Sequence, residues 1–143
     1  MNRTRARSDS GAAAVEFALI LPILVLLVVA IMEFGRIYNI QLGLTAAARE
    51  GVRTMAIENN PSAARAATKV AAPNLTPALT DGQIVIWVGL PGAQPPLVPP
   101  PGPAVCVVNQ NATLKATYEV ELLTGWFGDG IEITGRGVMR CNG

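Results

Sequence analysis

The sequence predicts an α+β protein: a long N-terminal helix, transmembrane in its first part and continuing outside, then a short helix and a small, mainly antiparallel sheet. Three observations predict it. Residues 17–32 form an uncharged apolar run of sixteen. Helical apolar and polar stripes continue to residue 57, and the remainder alternates in strand fashion between turns marked by glycine, proline and asparagine. Half of the 143 residues are hydrophobic and 15% are charged, an unusual balance for a soluble domain. With so much apolar content at one end, about ninety residues remain for a folded domain, which buries little core.

The apolar run comes first. Twelve of its sixteen residues are Leu, Ile, Val or Phe, so insertion is favoured by roughly 4–7 kcal/mol. From residue 12 to residue 32 the helix measures about 31 Å, the thickness of a hydrocarbon core. Arg3, Arg5 and Arg7 precede the run and only Asp9 opposes them. The excess of positive charge places the N-terminus in the cytoplasm and everything after residue 33 outside. An ordinary secretory signal has the same outline, but Ala30-Ile31-Met32-Glu33 is not a small-x-small cleavage site. A plain single-pass anchor is the simplest alternative.

The residues ahead of the run add a more specific signal. In Gly11-Ala12-Ala13-Ala14-Val15-Glu16-Phe17 a basic leader meets a glycine, four small or apolar residues, and a glutamate that opens the hydrophobic helix. The arrangement resembles the type IV prepilin processing site. That resemblance implies that a prepilin peptidase cuts between Gly11 and Ala12, leaving Glu16 as fifth residue of the mature chain. Glycine gives a protease an unhindered backbone, and a new ammonium at Ala12 can neutralise a carboxylate in lipid. Glu16 also suits an interfacial position in the first turns of a helix, where an acid complements the macrodipole.

Further on, Leu21-Pro22-Ile23-Leu24, Glu33-Phe34-Gly35-Arg36 and Ala47-Ala48-Arg49-Glu50-Gly51-Val52-Arg53 resemble, in that order, the TadE-like family of the tight-adherence (Tad) pilus system. The resemblance covers about residues 10–57. It implies a pilin-like fold and a minor pilin or pseudopilin role, with prepilin peptidase, other pilin subunits and the pilus assembly platform as partners. Glu16 and Phe17 then serve assembly. Major pilins of this system are typically much shorter and commonly carry tyrosine where this chain has Phe17. Both departures favour a minor role.

Beyond the membrane, Leu44, Ala48, Val52 and Met55 fall on one stripe and Gln41, Thr45, Arg49 and Arg53 on another. One helix therefore continues to residue 57, about 69 Å from residue 12, with a bend expected at Pro22. Gly35, Gly43, Ala47 and Gly51 line one side and admit another backbone, either a second subunit's or, more plainly, the chain's own external domain. Asn59-Asn60-Pro61 ends the helix. Residues 62–72 read as a second helix, capped by Ser62 and stopped by Pro73.

Strands are predicted at 83–88, 105–108, 112–122 and 131–140, with Asn109-Gln110-Asn111 as a hairpin turn. Residues 91–103 hold seven prolines in thirteen and form an extended connection. Trp126 and Phe127, in a glycine-rich turn, either plug the edge of a small core or form a contact surface for another pilus component. Glu119 and Glu121 share a strand face, the mark of a solvated side. Asn111-Ala112-Thr113 fits a glycosylation sequon and is read as coincidence.

The two cysteines, Cys106 and Cys141, both fall in the half predicted to be external, where a disulfide persists. Their bond would tie the second predicted strand to the last. The sequence has no histidine, no phosphate-binding loop and no cysteine spacing of a metal knuckle. A net charge of +1 gives no nucleic-acid footprint. No enzyme, cofactor, metal or small-molecule substrate is therefore expected. The reading is a cleaved leader at 1–11, a transmembrane and extended helix at 12–57, and an extracytoplasmic domain at 58–143. The protein would be single-pass in the bacterial inner membrane, N-terminus in and C-terminus out. A membrane-anchored binding or adhesion module outside any pilus is the competing reading.

Overall fold

A computed structural model describes residues 5–93, 104–122, 125, 128 and 130–141, with the side chains of 5–10 left aside. The chain divides into a first unit ending at Arg36 and a second beginning at Ile37. The elements are those of the predicted α+β class: a long helix, a short helix and a three-stranded antiparallel sheet.

Helix α1, Arg5–Glu58, runs through Pro22, whose missing N–H leaves the Ala18 carbonyl without its helical donor. It ends where Asn59 turns left-handed, at φ 49°, while the Asn59 N–H still donates to the Met55 carbonyl at 3.0 Å. Helix α2, Pro61–Val70, follows almost at once. The expected cap, Ser62, is replaced by Asn60, whose Oδ1 accepts from the N–H groups of Ser62 (3.0 Å) and Ala63 (3.2 Å). Proline needs no N–H at the first helical position, so Pro61 lies inside the helix and the cap moves one residue upstream of it. Ser62 supports the cap by donating its hydroxyl to the same Oδ1 at 2.7 Å.

Strands β1 (Ile84–Gly89), β2 (Asn111–Glu121) and β3 (Gly130–Arg140) form a meander in the order β1-β2-β3. The strand predicted at 105–108 is absent, and with it the hairpin through Asn109-Gln110-Asn111. Asn109 and Gln110 instead lead into β2, which Asn111 opens, with Asn109 left-handed at φ 68° and the Gln110 N–H donating to the Val107 carbonyl at 3.1 Å. Four apolar-rich residues satisfy a strand pattern, yet these pair with neither outer edge of the sheet, and the strand they lead into has no free side. β2 is already paired with β1 along 111–116 and with β3 along its whole length.

The core of the second unit lies between its helices and one sheet face. From α1 come Leu44, Ala47, Ala48, Val52 and Met55, from β1 Ile84 and Ile86, from β2 Ala112, Leu114, Ala116, Tyr118 and Val120, and from β3 Ile133. The predicted apolar stripe of the helix is thus its core face. β3 contributes little side-chain volume there because positions 135 and 137 are glycines. A Cβ at Gly137 would lie 2.8 Å from the carbonyl carbon of Ala48 and 2.9 Å from Cα of Arg49, so α1 rests on the bare strand backbone. On the far face Glu119 is exposed opposite Glu132, and Lys115 faces Arg136. The Arg136 guanidinium sits 5.7 Å from the centre of the buried Trp87 ring.

Candidate functional site

The first unit is the N-terminal part of α1, and its apolar side chains have nothing over them. From Val15 to Met32 the large hydrophobic residues are 36–70% exposed. A continuous apolar surface of this size needs lipid or a partner. The helix is long and apolar enough to cross a membrane, and its most apolar stretch has no buried residue. A single-pass anchor accounts for it.

Gly11, Ala12, Glu16 and Phe17 all lie on this helix and are exposed. Ala12 and Glu16 are four residues apart, on one face, about 6 Å along the axis. Nothing lies within 4 Å of the position a Cβ would take on Gly11. At the other end of the uncharged stretch stands Glu33, about 26 Å from Glu16 at helical rise. Glu33 is 8% exposed and pairs with Arg36 at 3.5 Å. The spacing of the two acids is close to the thickness of a hydrocarbon core.

The four small residues of α1 part company. Ala47 is fully buried, and a Cβ at Gly51 would overlap Thr68 Oγ1 and lie 2.7 Å from Leu114 Cδ1, so this position lets α2 and β2 approach the helix. Gly35 and Gly43 have nothing within 4 Å. The pair that meets the chain's own fold and the pair that does not were indistinguishable by spacing alone. Trp126, Phe127 and residues 94–103 of the proline-rich connection lie outside the described residues.

Cys106 and Cys141 are joined, with Cα atoms 5.4 Å apart. Cys106 lies in the irregular segment before β2, not on a strand, and Cys141 directly follows β3. The bond therefore ties that segment to the end of the sheet. Asn59 was not anticipated here. The Cys106 N–H donates to Asn59 Oδ1 at 2.6 Å and Asn59 Nδ2 donates to the Cys106 carbonyl at 3.4 Å. An asparagine just past a helix and before another signals a turn, and nothing in sequence shows what its side chain will reach 47 residues away.

The second unit also has an open groove of about 430 Å³ lined by Ser62, Arg65, Ala66, Lys69, Asp81 and Gly82. Lys69 and Asp81 pair across it at 2.8 Å. The hydrogen bond from Lys69 holds the Asp81 carboxyl below its ordinary value, against the opposing effect of desolvation and with the charges of Lys69 and Arg65 assisting. Among the described residues no group of three His, Cys, Asp or Glu side chains is placed to hold a metal ion.

A family model described as TadE-like protein matches residues 11–53. The match opens at Gly11 and takes in Glu16, the whole apolar run and the segment through Arg53. It covers under a third of the chain. Neither the curated proteins nor the solved structures contain a significant match.

Proposed function

We propose that this chain, TadE-like over residues 11–53, is a minor pilin or pseudopilin: a structural or assembly subunit of a Tad pilus rather than a catalyst. One observation carries the reading. A glycine stands five residues before a glutamate at the start of an uncovered apolar helix, inside the matched segment. Prepilin peptidase cuts between Gly11 and Ala12 on the cytoplasmic face, where Arg3, Arg5 and Arg7 hold the leader. Glycine inside a helix costs about 1 kcal/mol relative to alanine, so the helix unwinds most readily at the bond to be cut. The folded second unit stands on the opposite, oxidising side, in keeping with the Cys106–Cys141 bond. Other pilin subunits and the assembly platform are its partners. The Ala12 amine meets the carboxylate of Glu16, on its own helix or a neighbour's, and fixes register where an unpaired charge would be costly.

In a host with prepilin peptidase, N-terminal sequencing is expected to read from Ala12, with formal side-chain charge changing from +1 to −1 as three arginines and an aspartate leave. A chain still starting at Met1, but anchored and folded, would support the alternative of a display module held by an uncleaved anchor. Glu16→Ala is expected to leave membrane fractionation unchanged, since the apolar run drives insertion, while reducing pilus number. Normal piliation would return Glu16 to an interfacial role.

A further inference from the structure

We propose that the side-chain amide of Asn59 gates the Cys106–Cys141 disulfide, so that the bond undergoes thiol exchange only while the segment around Cys106 is released from the C-terminal end of α1. The inference does not depend on the pilus reading.

Asn59 ends α1 through its backbone, by its left-handed φ and its N–H to Met55. Its side chain is left to act elsewhere. The amide presents an acceptor and a donor to the N–H and carbonyl of Cys106, at 2.6 and 3.4 Å, and so replaces the neighbouring strand that this segment lacks. Apolar burial holds the segment only through Cys106, in the core, and Ala104, packed against it, since Val105, Val107 and Val108 are about half exposed. Polar contacts complete its attachment: the two from Asn59, the Cys141 N–H donating to the Gln110 carbonyl at 2.8 Å, and Arg140 Nη2 donating to Asn109 Oδ1 at 2.8 Å, of which only those from Asn59 reach α1. The cysteines themselves are 7% and 1% exposed, so little of either residue is open to an attacking thiolate in the closed form.

Once the segment lifts, exchange with a dithiol is ordinary chemistry. A thiolate of the reagent attacks one sulfur, and the other leaves as a thiolate that takes up a proton. The reagent's second thiol, deprotonated, then displaces the remaining cysteine. The reagent becomes a disulfide, having given up two electrons and two protons, and Cys106 and Cys141 become thiols. Asn59 thus links the end of the long helix to the redox state of the domain.

The test is the rate of reduction by dithiothreitol of the full chain in detergent, followed by alkylation and mass spectrometry. Asn59→Gly keeps the left-handed helix end, which glycine adopts freely, and removes only the amide. It is expected to be reduced about tenfold faster, the ratio that corresponds to losing roughly one net hydrogen bond from the closed form. Asn59→Asp keeps an acceptor for the Cys106 N–H and should fall between. Ala64→Gly, in the buried middle of α2, loosens the unit without touching the clasp and should leave the rate unchanged. Equal rates for the wild type and Asn59→Gly would overturn the proposal, and so would equal acceleration by Ala64→Gly.

Discussion

Gly135→Ala is expected to destabilise the second unit by about 2–4 kcal/mol, although alanine is the better residue in a strand by backbone entropy alone. The two effects have opposite signs, and their sizes decide the outcome. Restricting the unfolded chain gains about 0.4–1 kcal/mol. Against that, the new Cβ would lie 2.5 Å from the carbonyl carbon of Leu44 and 2.8 Å from the Thr45 amide nitrogen. These are backbone atoms of a helix anchored along its length by Leu44, Ala48, Val52 and Met55, so no rotamer change relieves the overlap and the helix must lift from β3. Gly43→Ala provides the contrast. That position has open space, and alanine there should stabilise the helix by about 1 kcal/mol. Urea unfolding of the full chain in detergent, read by tryptophan fluorescence, distinguishes the two. A Gly135 variant as stable as the wild type would mean that α1 does not rest on β3.

Replacing both cysteines, Cys106→Ala with Cys141→Ala, is expected to cost about 3.5–4 kcal/mol, from the loop-closure entropy returned to the unfolded chain over a sequence separation of 35. In a domain whose total stability is of the order of 5–15 kcal/mol, that is a large share. The loss should appear as a lower unfolding midpoint with a somewhat steeper slope, because the unfolded chain without the crosslink is less compact and exposes more surface. It should vanish when wild type and variant are compared under full reduction. A variant unfolding at the wild-type midpoint in oxidising buffer would show that hydrogen bonds and the remaining core already hold the end of β3 in place.

The long helix, its core stripe and its end near Asn59 were legible because their signals are periodic or local: Leu44, Ala48, Val52 and Met55 repeat at helical spacing, and asparagine before Asn60-Pro61 breaks the pattern. β2 and β3 were placed within a residue of their observed limits for the same reason. Residues 105–108 misled because a short apolar run carries no information about whether a sheet edge is free to receive it. The second helix was displaced by reading Ser62 as the cap, when Pro61 belongs inside the first turn and Asn60 before it.

For the candidate site, the placement of Gly11, Ala12, Glu16 and the apolar run on one exposed helix was legible, since they form a linear pattern within seventeen residues of Glu16. The glycines were harder. Gly35, Gly43 and Gly51 have the same chemistry, but only Gly51 meets the rest of the fold, and Gly135-Arg136-Gly137 went unmarked although glycine inside a strand pattern is itself a sign of close backbone approach.

By itself, then, the sequence determined a helix long and apolar enough to cross a membrane, most of the elements that follow it and the identity of the two cysteines able to pair. Each of these depends on residues close together in the chain, where hydrophobic period, charge and turn chemistry act directly. Only the tertiary structure decided that α1 lies on the bare backbone of β3, that Cys106 sits on no strand, and that Asn59 clasps it across 47 residues. Those contacts follow from how the helices and sheet bury their apolar faces together, and the free energy that selects them belongs to the assembled core rather than to any local stretch of chain.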